Sequence, residues 1–345
     1  MIDLRSDTAT KPTPAMRAAM AAAEVGDEQE REDPTVNELQ RRAAELLGQE
    51  AALFLPTATM ANQIALRVLG RRGGELLAEE RTHVLVYESG GAAANAGLVT
   101  RGLPGVAGRV TPAQLEEAVA AADPPLQPAE LVVLENTHRS SGGRVWPLDE
   151  LAAVVARARE LGLRVHLDGA RLLNAQVAAG VPAASYGRLA DTVTLCFSKG
   201  LGCPLGAVLA GSAELIERAW VEKFRFGGAL RQAGIVAAAP LYALDHHVER
   251  LADDHRRARL LADGLAEAGL PVDPEATETN FVALGLRALG LDEREALRRV
   301  AGAGVLLSGL RPGWLRAVTC LGVEDEHVEQ AVERIPEALG ALARA

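Results

Sequence analysis

One lysine stands in a glycine-rich turn, Cys196-Phe197-Ser198-Lys199-Gly200-Leu201-Gly202. The apolar run before it reads as a buried strand. An amine held at such a strand end is partly desolvated, which lowers its pKa and frees it as a nucleophile. Taken alone, the segment is equally a loop lysine among turn glycines, and its glycines fit neither GxGxxG nor a Walker A loop. In His166-Leu167-Asp168-Gly169-Ala170-Arg171, Asp168 ends a second apolar strand. Strand C-terminal ends line the ligand crevice of a doubly wound sheet, so this carboxylate could hold a cationic ring nitrogen or could simply cap the following turn. Thr57-Ala58-Thr59 follows the apolar Ala51–Leu55 and opens a helix. Free N–H groups and the dipole at a helix start favour phosphate; the plain alternative is an ordinary N-cap. His83, within Arg81–Gly91, is a lone imidazole, and a lone imidazole is more often structural than catalytic.

Together these residues suit pyridoxal phosphate. That cofactor needs an imine-forming lysine, an acid for its pyridine nitrogen and a phosphate cradle. The seven histidines show no HExxH or HxH spacing, so no metal site is expected.

Helices and buried strands must alternate to position such a set. Thr35-Val36-Asn37-Glu38 reads as a capping box before a helix ending at Gly48, and Thr59 as the cap of a helix running to about Leu69. Thr111-Pro112-Ala113-Gln114 opens another helix, and one from about Asp149 to Leu161 stops at Gly162. The runs Val84–Tyr87, Leu131–Glu135, Val165–Asp168, Thr192–Phe197 and Leu205–Ala210 are continuously apolar, as expected of strands covered on both faces. The alternation implies an α/β protein with a mainly parallel sheet. Beyond a helical stretch from Gln232 to Ala268, the pattern suggests a smaller α+β domain. The expected division is an arm over 1–14, a large domain over 15–245 and a small domain over 246–345.

Composition excludes other classes. The chain has 345 residues and a net charge of −10, a sign that repels a phosphate backbone; with 3% aromatics, stacking platforms for bases are also not expected. No stretch is apolar for the roughly 20 residues that span a bilayer, and the N-terminus lacks a signal sequence, so a cytoplasmic location is expected. Three cysteines without a CxxC pair give neither a disulfide framework nor a zinc site.

The sequence resembles the threonine aldolase family, grouped with the aromatic amino acid β-eliminating lyases. The resemblance covers essentially the whole chain. It rests on Ile2-Asp3-Leu4-Arg5-Ser6-Asp7-Thr8, Asp33-Pro34-Thr35, Leu134-Glu135-Asn136-Thr137-His138, His166–Arg171, Ser198–Gly202 and Arg231-Gln232-Ala233-Gly234. It implies the pyridoxal-phosphate fold of aspartate-aminotransferase type (fold type I), with a seven-stranded sheet, and a lyase that cleaves L-threonine, L-allo-threonine or a related L-β-hydroxy-α-amino acid to glycine and an aldehyde. By resemblance, Lys199 would form the imine, Asp168 would hold the pyridine nitrogen and His83 would stack on the ring. Thr57, Ala58 and Thr59 would take the phosphate. Ser6, Arg171 and Arg316 would bind the substrate carboxylate, with Glu88 facing the pocket and His138 near the β-hydroxyl. The base could be His83, His138 or a water. Self-association into a dimer with shared sites, and a homotetramer, is also implied, with Phe226–Arg231 contributing to the neighbour's site. Alternatives on the same cofactor are β-elimination, transaldol transfer and racemisation; a cofactor-binding protein without activity is the other class.

The sequence departs from the family pattern in places. Glu30-Arg31 stands where Tyr-Gly is usual. Ala58 replaces a phosphate-turn glycine and would be strained if that position needs a positive φ. Phe224 stands where a lysine is usual, with Lys223 and Arg225 beside it. Cys320 replaces a histidine and Arg139 an asparagine. If Glu30 and Arg31 line the entrance, the β-substituent is expected to be charged or larger than the methyl of threonine.

Overall fold

A computed structural model describes residues 1–121 and 128–340. In chain order, the first half comprises β1 (Ile2–Asp3), α1 (Pro14–Ala21), α2 (Pro34–Leu47), β2 (Ala51–Leu55), α3 (Ala58–Leu69), β3 (Glu75–Glu79), α4 (His83–Val86), α5 (Gly91–Ala96), β4 (Val99–Leu103), α6 (Pro112–Ala120), β5 (Ala129–Glu135), α7 (Leu148–Glu160) and β6 (Arg164–Gly169). There follow α8 (Leu172–Ala179), α9 (Ala183–Gly187), β7 (Thr192–Cys196), β8 (Ala207–Gly211), α10 (Ala213–Arg225), α11 (Gly234–His246), α12 (Leu251–Glu267), β9 (Phe281–Gly285), α13 (Glu293–Gly302), β10 (Val305–Leu306), β11 (Ser308–Arg311), β12 (Trp314–Val318) and α14 (Asp325–Leu339).

Seven strands form one sheet in the order β2-β8-β7-β6-β5-β3-β4. Only β8 runs against its neighbours, so the sheet is mainly parallel, as expected. Its central strands β5, β6 and β7 are buried almost throughout, which is why they read as unbroken apolar runs. A separate three-stranded antiparallel sheet, β11-β12-β9, packs with α12 to α14 around a second core. Ile2 and Leu4 belong to that second core, and β1 pairs in parallel with β10, so the N-terminus is tied to the C-terminal part of the chain.

Three expectations need correction. Val84–Tyr87 is not a strand: residues 83–86 form the helical turn α4, closed by Tyr87 N–H on the His83 carbonyl at 2.8 Å. The strand of that unit is β3, concealed because buried glutamates occupy both ends; Glu75 pairs with Arg101, and Glu79 with His138. The second helix starts at Pro34 with Asp33 as its cap, accepting from Val36 N–H at 3.0 Å, in place of the capping box expected at Thr35. The third is capped by Thr57, whose Oγ1 accepts from Met60 N–H at 3.1 Å, in place of Thr59.

Candidate active site

The ends of β5, β6 and β7 and the start of α3 converge on one cavity. Lys199, Asp168, His83, Arg171 and Ala58 line it, together with Asn62, Glu135 and Thr137. Lys199 sits just past β7, in the turn closed by Gly202 N–H on its carbonyl at 2.9 Å. Thr10 Oγ1 also holds that carbonyl, at 2.8 Å. The sheet order therefore places the lysine, carrying the nucleophile, beside the aspartate at the end of β6.

Asp168 is buried, and its two oxygens accept from Asn62 Nδ2 at 2.8 Å and Ala170 N–H at 3.0 Å. Burial alone would raise its pKa; the positive charge of His83 and then Lys199 outweighs this and holds it below the ordinary carboxylate value. The group is thus a carboxylate suited to a cationic ring nitrogen. His83 is fixed at two points. Its backbone N–H donates to Glu135 Oε2 at 2.7 Å, and its Nδ1 lies 2.8 Å from Glu88 Oε1. Burial opposes a charge on this imidazole, but the Glu88 hydrogen bond and the Asp168 and Glu135 charges prevail and raise its pKa. His166, by contrast, is pushed down to about 4 by burial and stays neutral between Thr192 and Asn62.

Asn62 joins these groups. Its amide nitrogen donates to Glu88 and to Asp168, and its oxygen faces His166 Nε2 at 3.1 Å. The donor atoms of His83, Glu88 and Asp168 lie within 4.8 Å of one another, close enough for a cation among the described residues. The Asn62 and His83 hydrogen bonds account for that closeness without one.

Arg171 gives Nε and Nη2 to Asp7 at 2.7 and 2.6 Å, so one edge of the guanidinium is occupied by an aspartate from the N-terminal segment. Burial would raise the pKa of Asp7, but the Arg171 charge outweighs it and holds the carboxyl at about 2. Arg316 lies on β12, 7% exposed. Its Nε donates to Ser308 Oγ at 2.8 Å, and Nη1 is buried with no partner. Arg171 and Arg316 both stack on the Phe281 ring, at 4.9 and 5.4 Å. Ser308 Oγ donates to the Arg5 carbonyl, which brings Ser6 to the same neighbourhood. Thr57 and Thr59 flank Ala58 at the mouth of α3 but are not among the cavity-lining residues, and neither is Glu88. His138 is fully buried; its Nδ1 meets Ser141 Oγ at 2.9 Å and its Nε2 is 3.1 Å from Glu79, off the line of a hydrogen bond.

A family model for β-eliminating lyases matches residues 3–287. A probable low-specificity L-threonine aldolase 2 of Arabidopsis thaliana is 39% identical over 335 residues, 95% of this chain and 94% of that protein. The low specificity L-threonine aldolase of Escherichia coli K12 is 42% identical over 286 residues, 83% of this chain and 85% of that protein. The chain belongs to the threonine aldolase family. The fold agrees: a threonine aldolase structure from Leishmania major superposes with a TM-score of 0.84 at 21% identity, covering 98% of this chain and 100% of that one. A serine palmitoyltransferase variant from S. paucimobilis with a bound pyridoxal phosphate–myriocin aldimine superposes with a TM-score of 0.76 at 19% identity, covering 99% of this chain and 88% of that one. The chain is a pyridoxal-phosphate-dependent lyase of fold type I, and the residues present fit that cofactor. The amine, the carboxylate held ionised and the imidazole share one cavity, which Ala58 at the start of α3 also lines.

The departures from the family pattern take on physical meaning here. Ala58 is the first residue of α3 and is not among the positive-φ residues, so no strain falls on it. The strain falls on Arg31, at φ 61°, which costs about 1 kcal/mol. Arg31 is held there by two hydrogen bonds to Glu217 and by the Trp220 ring at 5.1 Å. Within the protomer, it therefore faces α10 and not the Lys199 cavity. Lys223 is not a displaced site lysine: it is fully buried and paired with Glu28, while Phe224 points outward. Cys320 is buried, and burial pushes its thiol up to about 12. Asp7, Asn62, Glu135 and Ser308 escaped the reading of the sequence as site residues. Asp7 and Glu135 were inside recognised motifs; Asn62 and Ser308 carry no local signal.

Proposed function

We propose that this protein cleaves L-β-hydroxy-α-amino acids into glycine and an aldehyde. The observation that carries this reading is the meeting of Lys199, Asp168 and His83 in one cavity at the strand ends. Pyridoxal phosphate, when bound, supplies an electron sink conjugated to the substrate Cα. Lys199 supplies the amine that holds it, Asp168 keeps a proton on its ring nitrogen, and the start of α3, with Thr57 and Thr59, receives the phosphate.

The chain's own residues do the rest. Arg316, with its unpartnered Nη1, the remaining edge of Arg171 and Ser6 bind the substrate carboxylate. Held at these points, the carboxylate would fix the orientation of the bonds at Cα, and so select which of them breaks. His83 has Nδ1 occupied by Glu88, leaving Nε2 to accept the β-hydroxyl proton. Glu88 acts through His83. His138 is enclosed by Glu79, Glu135 and Ser141, and we assign it to positioning that wall. We propose further that the chain works as a cytoplasmic homotetramer with sites shared between subunits and that it divides near residue 245 into the two domains. Val221 and Phe224, 50% and 44% exposed and one turn apart on α10, support such an interface.

The test is product identity. Supplied with pyridoxal phosphate and L-threonine, L-allo-threonine or L-phenylserine, the protein should release equimolar glycine and aldehyde. Ammonia and a keto acid would assign β-elimination. His83→Gln should lower kcat by about 10²–10⁴-fold and His138→Gln by less.

A further inference from the structure

Arg139 follows His138 and begins a short 3-10 turn over Arg139–Ser141. Its guanidinium carbon lies over the Tyr87 ring, 3.9 Å from the centroid, and the Tyr87 ring is 5.5 Å from that of His83. Tyr87 Oη in turn reaches the Leu310 carbonyl on β11, the strand paired with Arg316-bearing β12. Arg139 therefore stands between the His83 wall and the Arg316 strand.

Among the described residues, no carboxylate forms an ion pair with it. Glu135 is the acidic group near its backbone, but both Glu135 oxygens are spent on backbone amides, those of His83 and Arg139 itself, at 2.7 Å each. Among the described residues, neither Arg139 nor Arg316 forms an ion pair, and each has a buried Nη1 without a partner. Burial, and then the positive charges of Arg139 and Arg171, push the pKa of Arg316 down to about 10. Arg139 and Arg316 thus each present a guanidinium edge that no protein carboxylate contacts directly. A substrate α-carboxylate neutralises one guanidinium and leaves the other without an anion. Leaving a buried charge unpaired is costly.

We propose that Arg139 is a specificity-determining residue that selects β-hydroxy-α-amino acids bearing a carboxylate on the β-side. The proposal rests on the retro-aldol reading above and names its substrate class. For 3-hydroxyaspartate, the reaction balances without a further reactant. The Cα–Cβ bond breaks, the hydroxyl oxygen loses its proton and becomes the aldehyde oxygen of an oxoacid, and Cα gains a proton to give glycine. The product is then an anionic aldehyde and not acetaldehyde.

Two measurements on the cofactor-loaded full chain test this. The first is kcat/KM for 3-hydroxyaspartate and for L-threonine, in the wild type, Arg139→Gln and Arg139→Lys. The second is equilibrium binding of L-aspartate and L-alanine, which lack the hydroxyl, followed by the visible spectrum. The wild type should favour 3-hydroxyaspartate by about tenfold or more. Arg139→Gln should erase that preference through KM and weaken aspartate relative to alanine by about 10–100-fold, the range of a hydrogen bond to a charged group. Arg139→Lys should restore part of both. A wild-type preference for threonine, or an equal loss on both substrates and both ligands, would overturn the proposal. Equal loss would mean that Arg139 reads the α-carboxylate. If no substrate yields glycine, the retro-aldol reading fails, while the aspartate and alanine titration still decides the role of Arg139.

Discussion

His83 can exchange a proton only through Nε2, because Nδ1 is engaged by Glu88 Oε1 at 2.8 Å. The raised pKa of this imidazole has a kinetic consequence. A base must be unprotonated to act, so kcat/KM should rise with pH through the elevated His83 value. Replacing Glu88 by Gln removes the hydrogen bond and a negative charge that favour the imidazolium. The acidic limb of the pH profile should then move to lower pH, while the plateau falls only as far as imidazole orientation is lost. A limb unmoved in Glu88→Gln would take the proton-transfer role away from His83. Asn62 bridges the same Glu88 to Asp168, so a substitution there disturbs the base and the ring-nitrogen partner together.

At the scale of elements, the start of α3 does double work. Thr57 caps the helix through Met60 N–H and stands where the cofactor phosphate is expected. Gly228 lies against the same turn: a Cβ there would press on Met60 Sδ, so the flexible Met60 side chain would have to shift. Thr57→Ala should cost about 1 kcal/mol of stability, the usual loss for an N-cap, and should also speed cofactor dissociation; Thr57→Ser should restore both. Thermal melting with and without pyridoxal phosphate separates the two effects. A change in stability with unaltered cofactor retention would make Thr57 a helix cap only. The central strands were legible in the sequence because both of their faces are covered and their apolar runs are unbroken. β3 was hidden because Glu75 and Glu79 are buried as ion pairs at its ends, and edge strand β4 because Val99-Thr100-Arg101-Gly102-Leu103 is largely exposed. Lys199 and Asp168 were legible as chemistry at strand ends, and His83 only through its company with them and the family resemblance. Asn62 was not, because its role depends on a meeting of α3, β6 and the segment after α4 that no local pattern encodes.

For the whole molecule, buried histidines set the response to acid. His166 and His255 are each depressed to about 4 from 6.5 by burial. As pH falls below 6.5, the unfolded chain takes up these protons first, so stability is lost between about pH 6.5 and 4, on the order of 3 kcal/mol per histidine. Asp254 works the other way: burial raises it to about 6, so protonation from pH 6 downwards favours the fold and offsets part of the loss. Below pH 3.8, the Asp7–Arg171 pair, which ties the N-terminal segment to the end of β6, begins to lose its contribution as the folded value of about 2 is approached. The melting temperature should therefore drop from pH 6.5 to pH 4, and more shallowly in His166→Gln. A parallel drop in the two proteins would locate the acid sensitivity elsewhere. The proposed chemistry presupposes a cofactor held by Lys199. The most direct measurement is the visible spectrum of the protein with pyridoxal phosphate, followed by glycine release on addition of an L-β-hydroxy-α-amino acid. The account predicts a lysine-bound cofactor band that is absent in Lys199→Ala, with glycine formed only by the protein that has the band. An unchanged band in Lys199→Ala, or glycine release without Lys199, would contradict it.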